Sequence, residues 1–158
     1  MCGRFTLTWE EWRRVAETLG IDDDSDVASN YRPRFNIAPT DQHFIVTSEF
    51  ERRRVQRARW GLVNRRATDN RRASQGINAK AETLEQRATF REAFQQRRCV
   101  VPANGFYEWT GPKGKRQPLW IHPRAGDLML FAGLYESWYP ERTKPEVTFT
   151  IVTCERTR

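Results

Sequence analysis

The chain has 158 residues, a length that fits one domain with a buried core and needs no disulfide or metal to hold it together. Hydrophobic residues make up 38% and aromatic residues 12%, six of them tryptophan, which excludes disorder as a description of the whole chain. The net charge of +7 is carried mostly by arginine, with Lys80, Lys113, Lys115 and Lys144 the only lysines, and points to a polyanionic partner, because arginine forks onto phosphate and stacks on bases.

Met1-Cys2-Gly3-Arg4-Phe5 opens the chain. A small second residue favours removal of the initiator methionine, which would leave an α-amine and a thiol on adjacent carbons. Such a 1,2-aminothiol attacks an amide carbonyl through sulfur, or condenses with an aldehyde to an imine that the thiol closes into a thiazolidine ring. By position alone Cys2 reads equally as a small buried hydrophobe at the start of a strand.

Thr8-Trp9-Glu10-Glu11 predicts a capping box for a first helix, with Trp9, Trp12, Val15, Ala16 and Leu19 on one face and Gly20 as its stop. An acidic loop at 22–26 and an irregular connection at 30–39 follow. Two strands are predicted at 44–48 and 54–60, joined by a charged turn, and then a polar, mobile surface loop over 64–76. A second capping box, Thr89-Phe90-Arg91-Glu92, predicts a short helix with Phe90, Ala93 and Phe94 inward. The remainder reads as strands at 99–102, 106–109, 119–122, 129–134 and 147–154, with a hairpin turn at 111–115. The fold class expected is α+β: a mainly antiparallel, bent or barrel-like sheet with a few helices outside it, in a single domain over 1–158.

Cys2, Cys99 and Cys154 are an odd set with no CxxC pair, and His43 and His122 are the only histidines, so neither a disulfide framework nor a zinc site is indicated and no metal or cofactor is expected. No apolar run approaches the roughly 18 residues that cross a bilayer, and a cytoplasmic protein with free thiols is the expectation.

Four segments carry the chemistry together: Cys2-Gly3-Arg4-Phe5, Phe35-Asn36-Ile37-Ala38-Pro39, Ile77-Asn78-Ala79-Lys80-Ala81-Glu82-Thr83, and Val101-Pro102-Ala103-Asn104-Gly105-Phe106-Tyr107-Glu108-Trp109. With Trp60-Gly61-Leu62 between the second and third, their order and spacing resemble the SRAP family, the abasic-site processing proteins also called SOS response-associated peptidases. The resemblance runs over essentially the whole chain. It implies a bifurcated sheet closing partly into a barrel, and a protein that senses abasic sites in single-stranded DNA during the damage response and traps them covalently. It implies a monomer located at the nucleoid on damage, with self-processing at Met1 as a possible peptidase activity.

By the same resemblance Cys2 supplies the amine and the sulfur, Asn78 holds the sugar or the N-terminus, and Glu108 moves protons during ring opening, imine formation and ring closure. Arg4 and Lys80 fall where the family contacts phosphates near the trapped sugar. Trp60 and Trp109 either pack the site or stack on bases. Arg66 joins this DNA-binding set from the segment Asn64-Arg65-Arg66, which stands where relatives carry a proline and another tryptophan. Lys80 stands where arginine is usual and gives a point charge without a fork. The family's histidine-containing C-terminal segment is missing from a chain that stops at Arg158, and neither His43 nor His122 matches it, so a truncated domain is expected.

Read from the residues alone, Glu108 fits an ion pair with one of the many arginines as well as it fits proton transfer, and Asn78 and Glu82 fit ordinary polar roles in a loop or helix start. Two other functions compete. Glutamine amidotransferases also begin Met-Cys-Gly, but their Arg-Gly-Pro and Asn-Gly-Glu segments are not found. A basic single-strand-binding module with an inert cysteine is the non-enzymatic alternative.

Overall fold

The computed structural model describes residues 2–22, 25–50, 52–140 and 144–155. Two sheets organise them. In the smaller, β1 (Phe5–Leu7) lies between β2 (Arg34–Ile37) and β7 (Gly105–Thr110), and β7 continues to β8 (Gln117–Ile121), all antiparallel. In the larger, β4 (Arg52–Trp60), β3 (Gln42–Glu49), β6 (Arg98–Ala103), β9 (Met129–Trp138) and β10 (Glu146–Thr153) follow one another in antiparallel pairs.

β10 then turns back onto β4 in parallel, through Thr148 opposite Arg59 and Phe149 opposite Trp60, so five strands close into a barrel. Beyond that contact the same edge of β10 takes up β5 (Asn78–Lys80), also in parallel, with Ile151 opposite Asn78 and Thr153 opposite Lys80. One edge serving two strands is the bifurcation the family resemblance implies, and the architecture is α+β. The parallel pairs exist because the chain leaves β4 at Trp60 and returns to the same strand edge only after the long connection to Asn78.

Phe5, Trp60, Phe149 and Ile45, each 0% exposed, meet in the largest core cluster. They come from both sheets and lock the small sheet against the barrel, with Phe5 edge-on to Trp60 at 5.1 Å and Trp60 stacked on Phe149 at 6.4 Å. Completely burying side chains of this size is worth about 1.5–3 kcal/mol each.

Helix α1 (Trp12–Leu19) buries Trp12, Val15, Ala16 and Leu19 on the same cluster and ends at Gly20, whose φ of 58° closes it as expected. Its start differs from the capping-box reading. Glu11 is the N-cap and makes no side-chain cap bond, because Thr8 is engaged elsewhere: its hydroxyl accepts from Asn104 Nδ2 at 2.6 Å and its N–H donates to Asn104 Oδ1 at 3.2 Å. Trp9 stays outside the helix, with the Arg14 guanidinium 4.0 Å from its ring centre.

Helix α3 (Ala88–Gln96), by contrast, begins before its proposed box, with Arg87 at the N-cap and Thr89 already inside; it buries Phe90 and Ala93 against Leu62, Ala79, Leu84 and Leu134. Helix α2 (Ser25–Asn30) and β2 both form where irregular chain was expected, while Asp23 and Asp24 of the acidic loop lie outside the described residues.

A charged group sits in this core. Glu136 of β9 is 0% exposed, and Arg97 Nη2 lies 3.0 Å from its Oε1 and 3.0 Å from Glu92 Oε1. Burial pushes the Glu136 carboxyl above its ordinary value of 4.5, with Arg97 opposing the rise. A raised folded value means that the native state holds the proton more tightly than the unfolded chain, so stability falls as pH climbs through and above 4.5. Arg97→Met removes the opposing charge. Urea unfolding should therefore show a loss of about 3–5 kcal/mol at neutral pH and a clearly smaller one at pH 4, below the ordinary carboxyl value, where less of the Glu136 charge remains to be left unpaired.

Candidate functional site

The N-terminal segment runs between β7 of the small sheet and β5 of the large one. The Arg4 carbonyl accepts the Tyr107 N–H at 2.9 Å and, from the other side, the Cys2 thiol at 3.7 Å. Asn78 Nδ2 donates to the Cys2 carbonyl at 2.8 Å. Cys2 is thereby held through its carbonyl and its thiol and buried to 8% exposure, yet it borders a groove of about 430 Å³.

Lys80, Glu82 and Glu108 line the same groove, with Phe106 and Phe131 as apolar wall. Strand geometry accounts for this set. Asn78 and Lys80 are two apart on β5 and share a face, while Ala79 between them is buried in the core. Phe106 and Glu108 share a face of β7 by the same rule.

Asn78 is supported from beneath by Trp60, whose indole N–H donates to the Ile77 carbonyl at 2.8 Å, the same carbonyl that accepts Ile151 N–H at 3.1 Å. The other Asn78 side-chain atom, Oδ1, is buried with no hydrogen-bond partner among the described residues. An orphaned acceptor beside Cys2 is poised to receive a proton-bearing group that arrives there.

The turn between β6 and β7 is equally constrained. Asn104 ties Thr6 and Thr8 to it, with the Thr6 hydroxyl 2.9 Å from Asn104 Oδ1. Gly105 has no room for a Cβ, which would lie 2.3 Å from Trp120 Nε1. These contacts set where Glu108, three residues later, enters the groove.

Burial pushes the Cys2 thiol up to about 11; a backbone hydrogen bond from Arg4 pulls it back and the negative charge of Glu108 adds to the rise. Cys99, deeper in the barrel, is pushed up to about 12. Cys154, at the far end of the groove, is exposed. Alkylation by iodoacetamide at pH 8, followed by peptide mass spectrometry, should therefore modify Cys154 first and Cys2 and Cys99 much more slowly, since only the thiolate reacts.

Of the residues singled out in the sequence, Cys2, Asn78, Lys80 and Glu108 come together here. Arg4 lies alongside, its Nη1 donating to Asn36 Oδ1 at 3.1 Å. Trp109 is 42% exposed but faces the other side of β7 from Glu108, with its ring 6.5 Å from Tyr107. Arg66 lies in the loop after β4, its exposed guanidinium 4.0 Å from Glu92.

Trp60 corrects its DNA-binding assignment: at 0% exposure it cannot stack on a base, because closure of the barrel encloses it, and its packing role stands. Neither histidine lines the groove. His43 is buried, pushed down to about 4 by burial, and bonded to the Pro102 carbonyl at 2.8 Å, while His122 stacks on Trp120 at 4.1 Å.

Sequence reasoning missed Cys154 as a groove residue and treated Glu82 as structural. Glu82 lines the groove and also accepts the Glu155 N–H at 2.8 Å, which holds its carboxyl below the usual carboxylate range. The register of β10 on β5 is the signal that places Cys154, and that register is invisible in the sequence.

A family model described as SOS response associated peptidase (SRAP) matches residues 1–158. The chain belongs to the SRAP family. Among its SRAP relatives, abasic site processing protein YoqW of Bacillus subtilis (strain 168) is 37% identical over 155 residues, which make up 97% of this chain and 68% of YoqW. Abasic site processing protein HMCES of Xenopus tropicalis is 25% identical over 180 residues, covering 95% of this chain and 50% of HMCES. A crystallised protein from Bacteroides thetaiotaomicron shares the SRAP fold, with a TM-score of 0.84 over 98% of this chain and 68% of its own at 24% identity.

Proposed function

We propose that this chain captures abasic sites in single-stranded DNA as a covalent adduct on Cys2, after removal of Met1. The reading rests on one observation: Cys2 is held by its backbone at the edge of a groove that carries a cation, Lys80, and a carboxylate, Glu108. It is supported by the names of the SRAP relatives, which are abasic site processing proteins.

An abasic deoxyribose opens partly to an aldehyde. The α-amine of Cys2 adds to that carbonyl and loses water to give an imine. The thiol then adds across the carbon–nitrogen bond, its proton passing to nitrogen, and a thiazolidine results. Every atom is accounted for by the two reactants less one water.

A thiol pushed up to about 11 favours this order, with the amine attacking first and sulfur second. Ring closure also removes the imine that would otherwise let the neighbouring phosphate leave by β-elimination. Glu108 takes and returns the protons these steps require, and Asn78 fixes the residue that carries both nucleophiles.

Intact-mass analysis of the mature protein after incubation with an abasic oligonucleotide tests the proposal. An adduct equal to the summed masses less one water is the expected result. Binding without any mass change would leave only a passive single-strand-binding module.

Lys80 and Arg4 bring phosphate contacts to the same strand, so affinity for an intact single strand should fall with salt, with a log–log slope of about −0.7 per phosphate neutralised. Fluorescence anisotropy across a salt series measures it. A flat dependence would remove DNA phosphates from the groove.

A further inference from the structure

The segment between β4 and β5 expected to be a mobile loop is irregular apart from a 3-10 turn at Ala73–Gln75, yet it is tied down along its length. Gly61 adopts a φ of 126°, and a Cβ there would lie 2.6 Å from the Ala73 carbonyl oxygen. Leu62 N–H donates to the Gly76 carbonyl at 3.1 Å, Val63 N–H to Thr148 Oγ1 at 3.0 Å, and Trp138 Nε1–H to the Ala67 carbonyl at 2.8 Å. A loop held in this way encloses, with the first turn of α3, a second cavity of about 600 Å³.

The lining of the cavity is mixed. Buried apolar groups contribute to it, among them Leu62 and Phe90 at 3% exposure each. Three arginines, Arg71, Arg72 and Arg87, line it too, together with Gln75 and Thr89. Asp69 is the single acid in its lining, and it is taken by Arg71 at 3.4 Å. Arg72 and Arg87 have no carboxylate within ion-pair distance among the described residues, and the Arg87 guanidinium lies 5.7 Å from the centre of the Phe90 ring. Two guanidinium forks without a carboxylate partner, one of them over an aromatic ring of the lining, with an amide and a hydroxyl to meet ring edges, match a phosphate attached to a planar heterocycle. The volume lies in the range of small-molecule sites.

We propose that this cavity binds a nucleoside 5′-phosphate, with the phosphate on Arg72 and Arg87 and the base against the apolar groups of the lining. The unit is either free nucleotide or a nucleotide of the strand held in the Cys2 groove. Chain connectivity allows the second source, because Gly76 of the cavity precedes Asn78 by two residues and Arg87 follows Lys80 by seven. Binding here does not depend on the Cys2 chemistry. Its failure would leave covalent capture standing, and the failure of capture would leave this site standing.

The test is calorimetric titration of the whole chain, and of a variant carrying Arg72→Ala with Arg87→Ala, using dAMP, inorganic phosphate and two oligonucleotides: one with nucleotides on both sides of the abasic unit, one ending at it. Both arginines are exposed, so the variant should fold, and circular dichroism checks that it does. A control with Arg13→Ala and Arg52→Ala removes the same charge elsewhere.

If the free source is right, dAMP binds and the variant weakens it by about tenfold or more, while the control does not. If the strand is the source, dAMP does not bind, and the longer oligonucleotide loses its advantage over the shorter in the variant only. The proposal is overturned if phosphate binds as well as dAMP, if variant and control lose equally, or if neither dAMP nor the extra nucleotides gain anything from the arginines.

Discussion

A non-cleavable residue placed before Cys2 is expected to abolish the adduct with abasic DNA. The reason is chemical. Extension turns the α-amine into an amide, whose nitrogen lone pair is delocalised and does not add to an aldehyde, while the thiol and the groove remain. A thiol alone forms only a reversible hemithioacetal, which does not survive denaturing electrophoresis.

Cys2→Ser is expected to behave differently. The amine remains and an imine forms, but the hydroxyl closes the ring poorly, so the adduct should be detected only after borohydride reduction, and strand cleavage by β-elimination should rise. The pair of variants assigns the two nucleophiles separately. Both keep the bonds from Asn78 and Tyr107 that hold this segment, so binding to intact single strands should change little. Normal crosslinking by a protein whose N-terminus is verified as blocked would remove the amine from the mechanism.

The elements that could be read from the sequence are those whose signal is local. Alternation of Val147, Phe149 and Ile151 marked β10, and Gly20 marked the end of α1, because side-chain period and a left-handed cap depend on neighbours along the chain. The first capping box failed for a non-local reason. Thr8 is drawn to Asn104, 96 residues away, and no window of sequence contains that competition.

The site follows the same division. Short motifs carry Cys2, Asn78, Lys80 and Glu108, but the return of β10 to β4 and β5 is what brings Cys2, Lys80 and Glu108 to one groove, with Asn78 bonded to the Cys2 carbonyl. Trp60 was ambiguous because packing and stacking use the same residue type, and barrel closure decided between them. Cys154 was missed because its place depends on strand register, which is set by pairing with Lys80's strand and not by any residue beside it.

Glu108→Gln should slow crosslinking by about 10²–10⁴-fold while leaving affinity for an intact single strand within a factor of about two. Glutamine keeps the size and polarity of the side chain and removes the proton carrier, so a residue with a purely positional role would be largely rescued by it. Its second consequence has the opposite sign. Burial is the main cause of the raised Cys2 thiol, but the Glu108 charge contributes to it, so neutralising that charge should lower the thiol from about 11 and speed alkylation of Cys2. A variant whose cysteine ionises more readily yet crosslinks more slowly would locate the loss in proton transfer, since a more available thiolate can only help ring closure. If crosslinking and alkylation slow together, Glu108 acts by shaping the groove around Cys2. If rate and DNA affinity fall by the same factor, it acts through binding, and the proton carrier must be sought elsewhere in the groove, where Glu82 is the remaining carboxylate in the lining shared with Cys2 among the described residues, apart from Glu155 at its end.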